Sequence, residues 1–454
     1  MNPAIFREYD IRGVADRDYD TAFARQLGLA YAAFVRERKA RRVSVGRDCR
    51  LTSDRYAEAL IAGLRGGGLD VVDLGMCPTP LTYFSLFHLD LDGGIQVTGS
   101  HNPPDHNGFK ICVGKTTIHG AQIQELRKLI EDGGLRDGAG GGEEQFAIIP
   151  VYQDHLIAQF GRLPRPLKVV IDAGNGAAGP VAPRIVEAMG CNTRALFCEP
   201  DGRFPNHHPD PTVEENMRDL IAAVRADGAD LGIAFDGDAD RLGLIDHTGR
   251  ILWGDEMLIL FARDILATTP GAVVVSEVKC SQRLFDDIEA RGGRAIMWKA
   301  GHSLLKAKMR ETGAALGGEM SGHLFFADRY YGFDDAIYAA CRMLEVVSRA
   351  GRPLAALLAD LPPAVNTPEI RVDCPDDRKF EIAERAKERF RRDFEIIDVD
   401  GVRVKFPEGW GLIRASNTQP VLVMRFEART PERLREYQRI VEDVLADVRR
   451  EVGA

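Results

Sequence analysis

Three aspartates alternate through Asp236-Gly-Asp-Ala-Asp-Arg241, directly after the apolar run Leu231-Gly-Ile-Ala-Phe235. Carboxylates this close repel one another, and a hard divalent cation with oxygen ligands relieves the repulsion. An EF-hand loop also opens Asp-x-Asp-x-Asp, but it needs Gly at its sixth place and Glu at its twelfth, where this chain has Arg241 and His247. A merely solvated acidic turn would not follow a buried strand so abruptly. Three carboxylates that leave positions open for a further oxygen suit Mg²⁺ better than Ca²⁺.

A second cluster is Gly99-Ser-His-Asn-Pro-Pro-Asp-His-Asn-Gly-Phe-Lys110. A Ser after a Gly reads equally as a turn residue or an N-cap, and Asn102 excludes the Gly-x-Ser-x-Gly nucleophile elbow. With His101 and Lys110 close by, two prolines stiffening the loop and an acidic loop elsewhere, Ser100 is suited to carrying a phosphoryl group. Phosphate there would add about −1.5 to −2 charge, which a cation would offset. Glu319, Ser321 and His323 alternate in Gly318-Glu-Met-Ser-Gly-His323 and offer acceptor, hydroxyl and imidazole to sugar hydroxyls, or form a polar edge turn. Arg414-Ala-Ser-Asn-Thr418, with Arg425 beyond it, supplies two guanidinium groups, hydroxyls and turn N–H groups that suit a phosphate dianion, or form an ordinary turn.

These clusters need scaffolds. Apolar runs at 43–48, 70–75, 94–98, 168–173, 230–235, 242–246, 272–278 and 294–298 read as strands. Amphipathic segments at 54–65, 121–131, 212–226, 256–268, 281–290 and 334–349 read as helices between them. Such alternation predicts α/β layers with buried sheets. In parallel α/β sheets ligands collect at the carboxyl ends of strands. The clusters beginning at Thr98, Asp236 and Gly318 each follow such an end, and their convergence would make one interdomain cleft. The glycines within 133–144 read as a flexible connection, 246–249 as a turn and the proline-rich 361–368 as a linker. After the linker the pattern changes to strand 369–372, helix 378–392, strands near 396–404 and 421–426, and a long charged helix 431–452, an α+β unit.

The chain has 454 residues, 45% of them hydrophobic and 28% charged, which excludes a disordered or fibrous chain. Length alone suggests about three domains; the pattern gives four, 1–145, 146–251, 252–365 and 366–454. A net charge of −9 gives no field that would gather polyanions, so nucleic acid is not an expected partner. Eight cysteines without CxxC pairs or framework spacing read as reduced core thiols. The first residues reach charge before any apolar leader forms, and no run approaches a membrane span, so a cytoplasmic location without membrane association is expected.

The four clusters, in this order and at domain-sized intervals, together with Tyr9-Asp-Ile-Arg12-Gly13, resemble the α-D-phosphohexomutase superfamily over the whole chain. The Gly-Glu-Met-Ser-Gly-His form resembles the bacterial phosphomannomutase/phosphoglucomutase group, since amino-sugar phosphate mutases usually carry Gln where this chain has Met320. The resemblance implies a heart-shaped arrangement of four domains, three related mixed α/β domains and a C-terminal α+β lid. It implies that Ser100 is the serine phosphorylated in the active enzyme. Asp236, Asp238 and Asp240 would be Mg²⁺ ligands, with a phosphate oxygen on Ser100 as another. Lys110 and His302 match positions that assist proton transfer, Lys110 being the better base. Arg241, Tyr9, Arg12, Lys279 and His323 match residues lining the cleft, Glu319 and Ser321 the hydroxyl readers, and Arg414, Ser416, Asn417, Thr418 and Arg425 the phosphate-binding loop.

The implied reaction interconverts hexose 6-phosphate and hexose 1-phosphate through phosphoserine and a hexose 1,6-bisphosphate, which also acts as activator. A monomer or weak homodimer is expected. Phosphoglucosamine mutase is the alternative within the class. A metal-dependent sugar phosphatase and a non-catalytic sugar-phosphate sensor are alternatives outside it.

Overall fold

The computed structural model describes residues 2–135, 137–138, 140–417 and 419–453. They fall into two compact units, Met1–Asp264 with Ser321–Leu358, and Ile265–Met320 with Ala359–Ala454.

In the first unit, one sheet has the strand order Ile11–Val14, His106–Val113, Gly93–Val97, Arg42–Arg47, Asp70–Met76, Glu143–Gln145. The last four run parallel, and His106–Val113 turns back antiparallel on both of its neighbours. Val43, Val45, Val71, Ile95 and Val97 are buried in it, as β-branched residues suit a sheet packed on both faces. The second sheet runs Ile251–Leu252, Leu242–Asp246, Leu231–Phe235, Lys168–Asp172, Asn192–Leu196. Leu231–Phe235 is parallel to Lys168–Asp172 but antiparallel to Leu242–Asp246, with Phe235 opposite Leu242.

In the second unit, Val273–Glu277 pairs parallel with both Arg294–Trp298 and Leu316–Gly318. The C-terminal sheet is antiparallel and built around Val421–Ala428 and Gly409–Ala415, with helices Lys379–Asp393 and Pro431–Val452 over it. The long helix shows both terminal signals: Thr430 caps it through Arg433 N–H, Pro431 opens it, and Gly453 at φ 68° closes it.

The expected elements are present with ends moved by a residue or two, and the differences have local causes. Glu143–Gln145 is no flexible connection; it pairs with Val71–Asp73 and extends the first sheet. Residues 212–226 are not one helix: Glu214–Met217 is a 3₁₀ turn, and Arg218–Asp227 follows it. Helix Thr79–His88 is buried along almost all its length and therefore lacks the amphipathic period. Strand Gly409–Ala415 was hidden by its glycines and by the Arg414 cluster, and it forms the middle of the last sheet.

Candidate functional site

The serine cluster and the acidic cluster are both hairpin loops. Residues 98–105 join Gly93–Val97 to the antiparallel His106–Val113, and residues 236–241 join Leu231–Phe235 to Leu242–Asp246. Lys110 is thus a strand residue, opposite Gln96, rather than part of the loop. Within the acidic loop Asp236 Oδ1 accepts the N–H groups of Asp240 and Arg241, which closes the turn.

The two loops meet at Ser100, whose hydroxyl lies 2.7 Å from Asp236 Oδ2 and 3.1 Å from His101 Nδ1. Asp236, Asp238 and Asp240 are fully buried, and each offers an oxygen within 4.8 Å of the others. Thr79 Oγ1 donates to Asp238 Oδ2 at 2.5 Å. The Lys110 ammonium pairs with Asp238 at 2.7 Å and also with Asp240.

Electrostatics divide the three acids. Burial, and then the charges of its two neighbours, push Asp236 well above the usual carboxylate range, and burial with the Asp238 charge raises Asp240. Burial would raise Asp238 too, but Lys110 outweighs it and holds that carboxyl low. Burial works against the Lys110 charge, yet Asp238 and Asp240 raise its pKa. Asp238 Oδ1 and Asp240 Oδ1 are buried and accept no hydrogen bond among the described residues. Three acids and one lysine leave negative charge and free acceptor oxygens together, so this donor set fits a hard divalent cation.

Arg241 and His323 stand beside this centre. Arg241 Nε donates to His323 Nε2 at 3.0 Å. A guanidinium is always protonated, so Nε2 carries the lone pair and the imidazole proton is assigned to Nδ1. That nitrogen faces Asp334 Oδ2 at 3.2 Å and Asp240 Oδ1 at 3.6 Å. Arg12, on the strand paired with residues 106–109, donates to Asn102 Oδ1 at 3.1 Å and Asp10 at 2.6 Å. Tyr9 and Ser321 are half-buried in the same unit.

The second unit gathers a different group. Glu319 Oε1 accepts Gly301 N–H at 2.7 Å, and Asp400 Oδ2 accepts both Ala300 N–H at 3.0 Å and Arg414 Nε at 2.9 Å. His302 therefore starts its helix in a loop held by two carboxylates, with Arg414 tied to the same loop. Lys279 Nζ contacts Glu369 at 3.0 Å and Glu277 at 3.5 Å, and its carbonyl accepts from Arg425. Burial pushes Glu277 up to about 7 against the pull of Lys279. Ser416 Oγ accepts Gln419 N–H at 3.1 Å, Asn417 is half-buried, and Thr418 lies outside the described residues.

Thr79, Asp334, Glu277, Glu369 and Asp400 were not singled out by the sequence. Thr79 and Glu277 did carry a signal, since each lies at or just beyond the carboxyl end of an apolar strand. Asp334, Glu369 and Asp400 carried none.

Four family models match the chain in succession. They are the phosphoglucomutase/phosphomannomutase alpha/beta/alpha domains I at residues 3–136, II at 150–249 and III at 253–365, and the C-terminal domain at 369–444. The chain belongs to the phosphoglucomutase/phosphomannomutase family. It has that family's four-domain α/β fold and is a mutase, an isomerase of carbohydrate metabolism that acts on hexose phosphates. A phosphomannomutase/phosphoglucomutase of Pseudomonas aeruginosa is 47% identical over 98% of this chain and 96% of its own length. A phosphoglucomutase of Neisseria gonorrhoeae is 44% identical over 94% of this chain and 93% of its own. Among solved structures, a phosphoglucomutase/phosphomannomutase family protein of Burkholderia thailandensis superposes with a TM-score of 0.92 at 44% identity, covering 99% of this chain and 98% of that one. Among the described residues no helix is long and apolar enough to cross a membrane.

Proposed function

We propose that the chain interconverts mannose 6-phosphate and mannose 1-phosphate, with the glucose pair also accepted, through a phosphoryl group carried on Ser100. The reading is supported above all by the Ser100 hydroxyl 2.7 Å from Asp236 at the edge of a buried three-carboxylate cluster. A hydroxyl in that place is of use to a phosphoryl carrier and of none to a sugar-phosphate sensor.

Phosphoserine 100 donates to the free hydroxyl of a bound hexose monophosphate: the new P–O bond to the sugar forms as the P–Oγ bond breaks. The sugar hydroxyl gives its proton to a base, and Oγ receives one in return. The resulting 1,6-bisphosphate reorients and returns its other phosphoryl group to Ser100. A cation held by Asp236, Asp238 and Asp240, with a phosphate oxygen on Ser100 as a further ligand, would offset the phosphoryl charge, and Mg²⁺ suits this all-oxygen set.

Lys110 is an ammonium while Asp238 and Asp240 hold it, and it becomes a base only when their charge is otherwise offset. Until then it neutralises incoming phosphate charge, and His302 is the second proton carrier. Arg241, aimed by His323, stabilises the transferring group. Arg12 and Tyr9 orient the phosphoryl end. Glu319 and Ser321 read hydroxyls, Lys279 is a further substrate-binding residue, and Arg414, Ser416, Asn417, Thr418 and Arg425 bind the phosphate that is not reacting. Hexose 1,6-bisphosphate primes or rescues an enzyme whose Ser100 has lost its phosphate. We assign the domains to residues 1–145, 146–251, 252–365 and 366–454, and the working form to a cytoplasmic monomer or weak homodimer.

Incubation with mannose 1-phosphate, glucose 1-phosphate and glucosamine 1-phosphate in parallel tests this reading. Accumulation of the 6-phosphates of mannose and glucose without free phosphate is expected. Stoichiometric release of free phosphate makes the protein a phosphatase, and a preference for glucosamine makes it an amino-sugar mutase.

A further inference from the structure

Arg50 is only 2% exposed, and all five of its N–H donors are engaged, four by carbonyls between Ser100 and His106 and one by Asp48. Nη2 donates to the carbonyls of Ser100 and Asn102 at 2.7 and 2.6 Å, and Nη1 to those of Pro103 and His106 at 2.5 and 2.9 Å. Nε donates to Asp48 Oδ2 at 3.1 Å. The same carboxylate oxygen accepts Thr98 Oγ1 at 2.8 Å and Gly99 N–H at 3.2 Å. Thr98 Oγ1 in turn accepts Ser100 N–H at 2.8 Å. Asp48 Oδ1 is occupied by Ser53 Oγ and by Arg50 N–H.

The ring of contacts from Arg50 through Asp48 and Thr98 to Ser100 surrounds a strained backbone. Ser100 has φ 49°, a left-handed conformation that is strained for a non-glycine residue and persists only where the surroundings over-determine it. Side-chain volume is excluded from both sides. A Cβ on Gly99 would lie 2.6 Å from the Arg50 guanidinium carbon, and one on Gly237, in the acidic loop, 2.5 Å from the Ser100 carbonyl oxygen. The Phe204 ring lies 5.1 Å from the guanidinium and covers it. A lysine could not replace this fork, because one ammonium has three donors at a single point.

We propose that Asp48, Arg50 and Thr98 are positioning residues for phosphoryl transfer: they fix Ser100 in the left-handed conformation that aims its hydroxyl at Asp236. The inference rests on the reading of Ser100 as the phosphoryl carrier. None of the three side chains touches the reacting atoms. They act through the Ser100 backbone N–H and carbonyl, so they set the rate of transfer and leave binding of the sugar phosphate alone. A loop that served only stability would be indifferent to which backbone atoms they hold.

The variants Thr98→Val, Thr98→Ser and Arg50→Lys test it, each assayed well below its own melting temperature. Val removes the acceptor of Ser100 N–H with little change of shape, whereas Ser keeps it. For Thr98→Val and Arg50→Lys the expected result is a 10- to 100-fold fall in kcat, the order expected for a displacement of about 1 Å, with KM for the hexose phosphate within about twofold. Thr98→Ser is expected within about twofold of the parent in both. A lowered melting temperature with unchanged kcat in Thr98→Val overturns the proposal, and Arg50→Lys carries the same test if Thr98→Val does not fold. Mapping the phosphate in the parent protein separates the two readings. Phosphate on a residue other than Ser100 removes the carrier assignment, whereas phosphate on Ser100 with full activity in Thr98→Val removes only the positioning role.

Discussion

The hydroxyl of Ser100 and the carboxylate of Asp236, 136 residues apart in the chain, are hydrogen-bonded at 2.7 Å. Two hairpin loops on two different sheets make that contact, so it reports on the packing of those sheets as much as on the loops themselves. Lys110 draws Asp238 and Asp240 to the same place.

Three buried acids against one lysine destabilise the metal-free protein. Asp236→Asn is expected to raise the melting temperature in chelator, because the folded state already favours a neutral side chain there and Asn supplies one without the cost of protonating a carboxylate. Mg²⁺ at about 100 times its Kd is expected to stabilise the parent by ~2.7 kcal/mol and this variant by much less. Calorimetry with and without Mg²⁺ checks both, and equal Mg²⁺ shifts in the two proteins would remove the cluster as the metal site.

His207 pairs with Asp172 through Nε2 at 3.0 Å, at the end of strand Lys168–Asp172. Burial lowers its pKa, but the Asp172 carboxylate more than compensates and the net shift is upward. A group raised in the folded state gives stability that is full below its ordinary pKa of about 6.5 and lost as pH rises through the folded value. His207→Gln is expected to flatten the fall in melting temperature on the alkaline side of pH 6.5. A difference between parent and variant that is constant with pH would contradict this.

Glu277 shifts in the same direction for a different reason, burial rather than a charged partner. Burial raises it from 4.5 to about 7, so the folded state favours the protonated form, and stability is lost as pH rises from about 4.5 through 7. Glu277→Gln leaves an acceptor for Met320 N–H, which Oε1 accepts at 2.9 Å. The variant is expected to gain stability over the parent across pH 5 to 8, and parallel melting curves would show that Glu277 does not titrate there.

Arg403 is fully buried in the second unit, stacked 3.8 Å over Trp410 and donating to the carbonyls of Val278 and Cys280 and to Gln282 Oε1. It ties the end of strand Val273–Glu277 to the C-terminal sheet. Arg403→Ala is expected to cost about 3–5 kcal/mol by leaving several buried acceptors without a donor and opening a void. Denaturant unfolding measures this, and a loss below about 1 kcal/mol would mean that water replaces the guanidinium.

The clusters that the structure brings together around Ser100 and Asp236 were legible in the sequence because each is contiguous. The Asp236 to Asp240 alternation and Ser100 needed only the observation that polar groups follow apolar strands, whereas Lys110 lies inside a strand and its role was reached through the resemblance. The sheets were legible for the same reason, since valine- and isoleucine-rich runs admit few other readings. What holds the clusters was not legible. Arg50 stands 50 residues before the serine whose carbonyl it holds, and nothing in its neighbours marks it as buried. Asp334 and Asp400 likewise acquire meaning only when the fold brings His323 and Arg414 to them. Helix Thr79–His88 was missed because burial on all sides erases the period that amphipathic helices display.

Intact mass and phosphopeptide mapping, before and after incubation with a hexose 1,6-bisphosphate and Mg²⁺, test the account most directly. The protein is expected to gain a single phosphoryl group, located on Ser100, and Ser100→Ala to gain none while losing turnover by roughly three orders of magnitude or more. A phosphoryl group found on another residue, or a Ser100→Ala enzyme that still turns over, would contradict it.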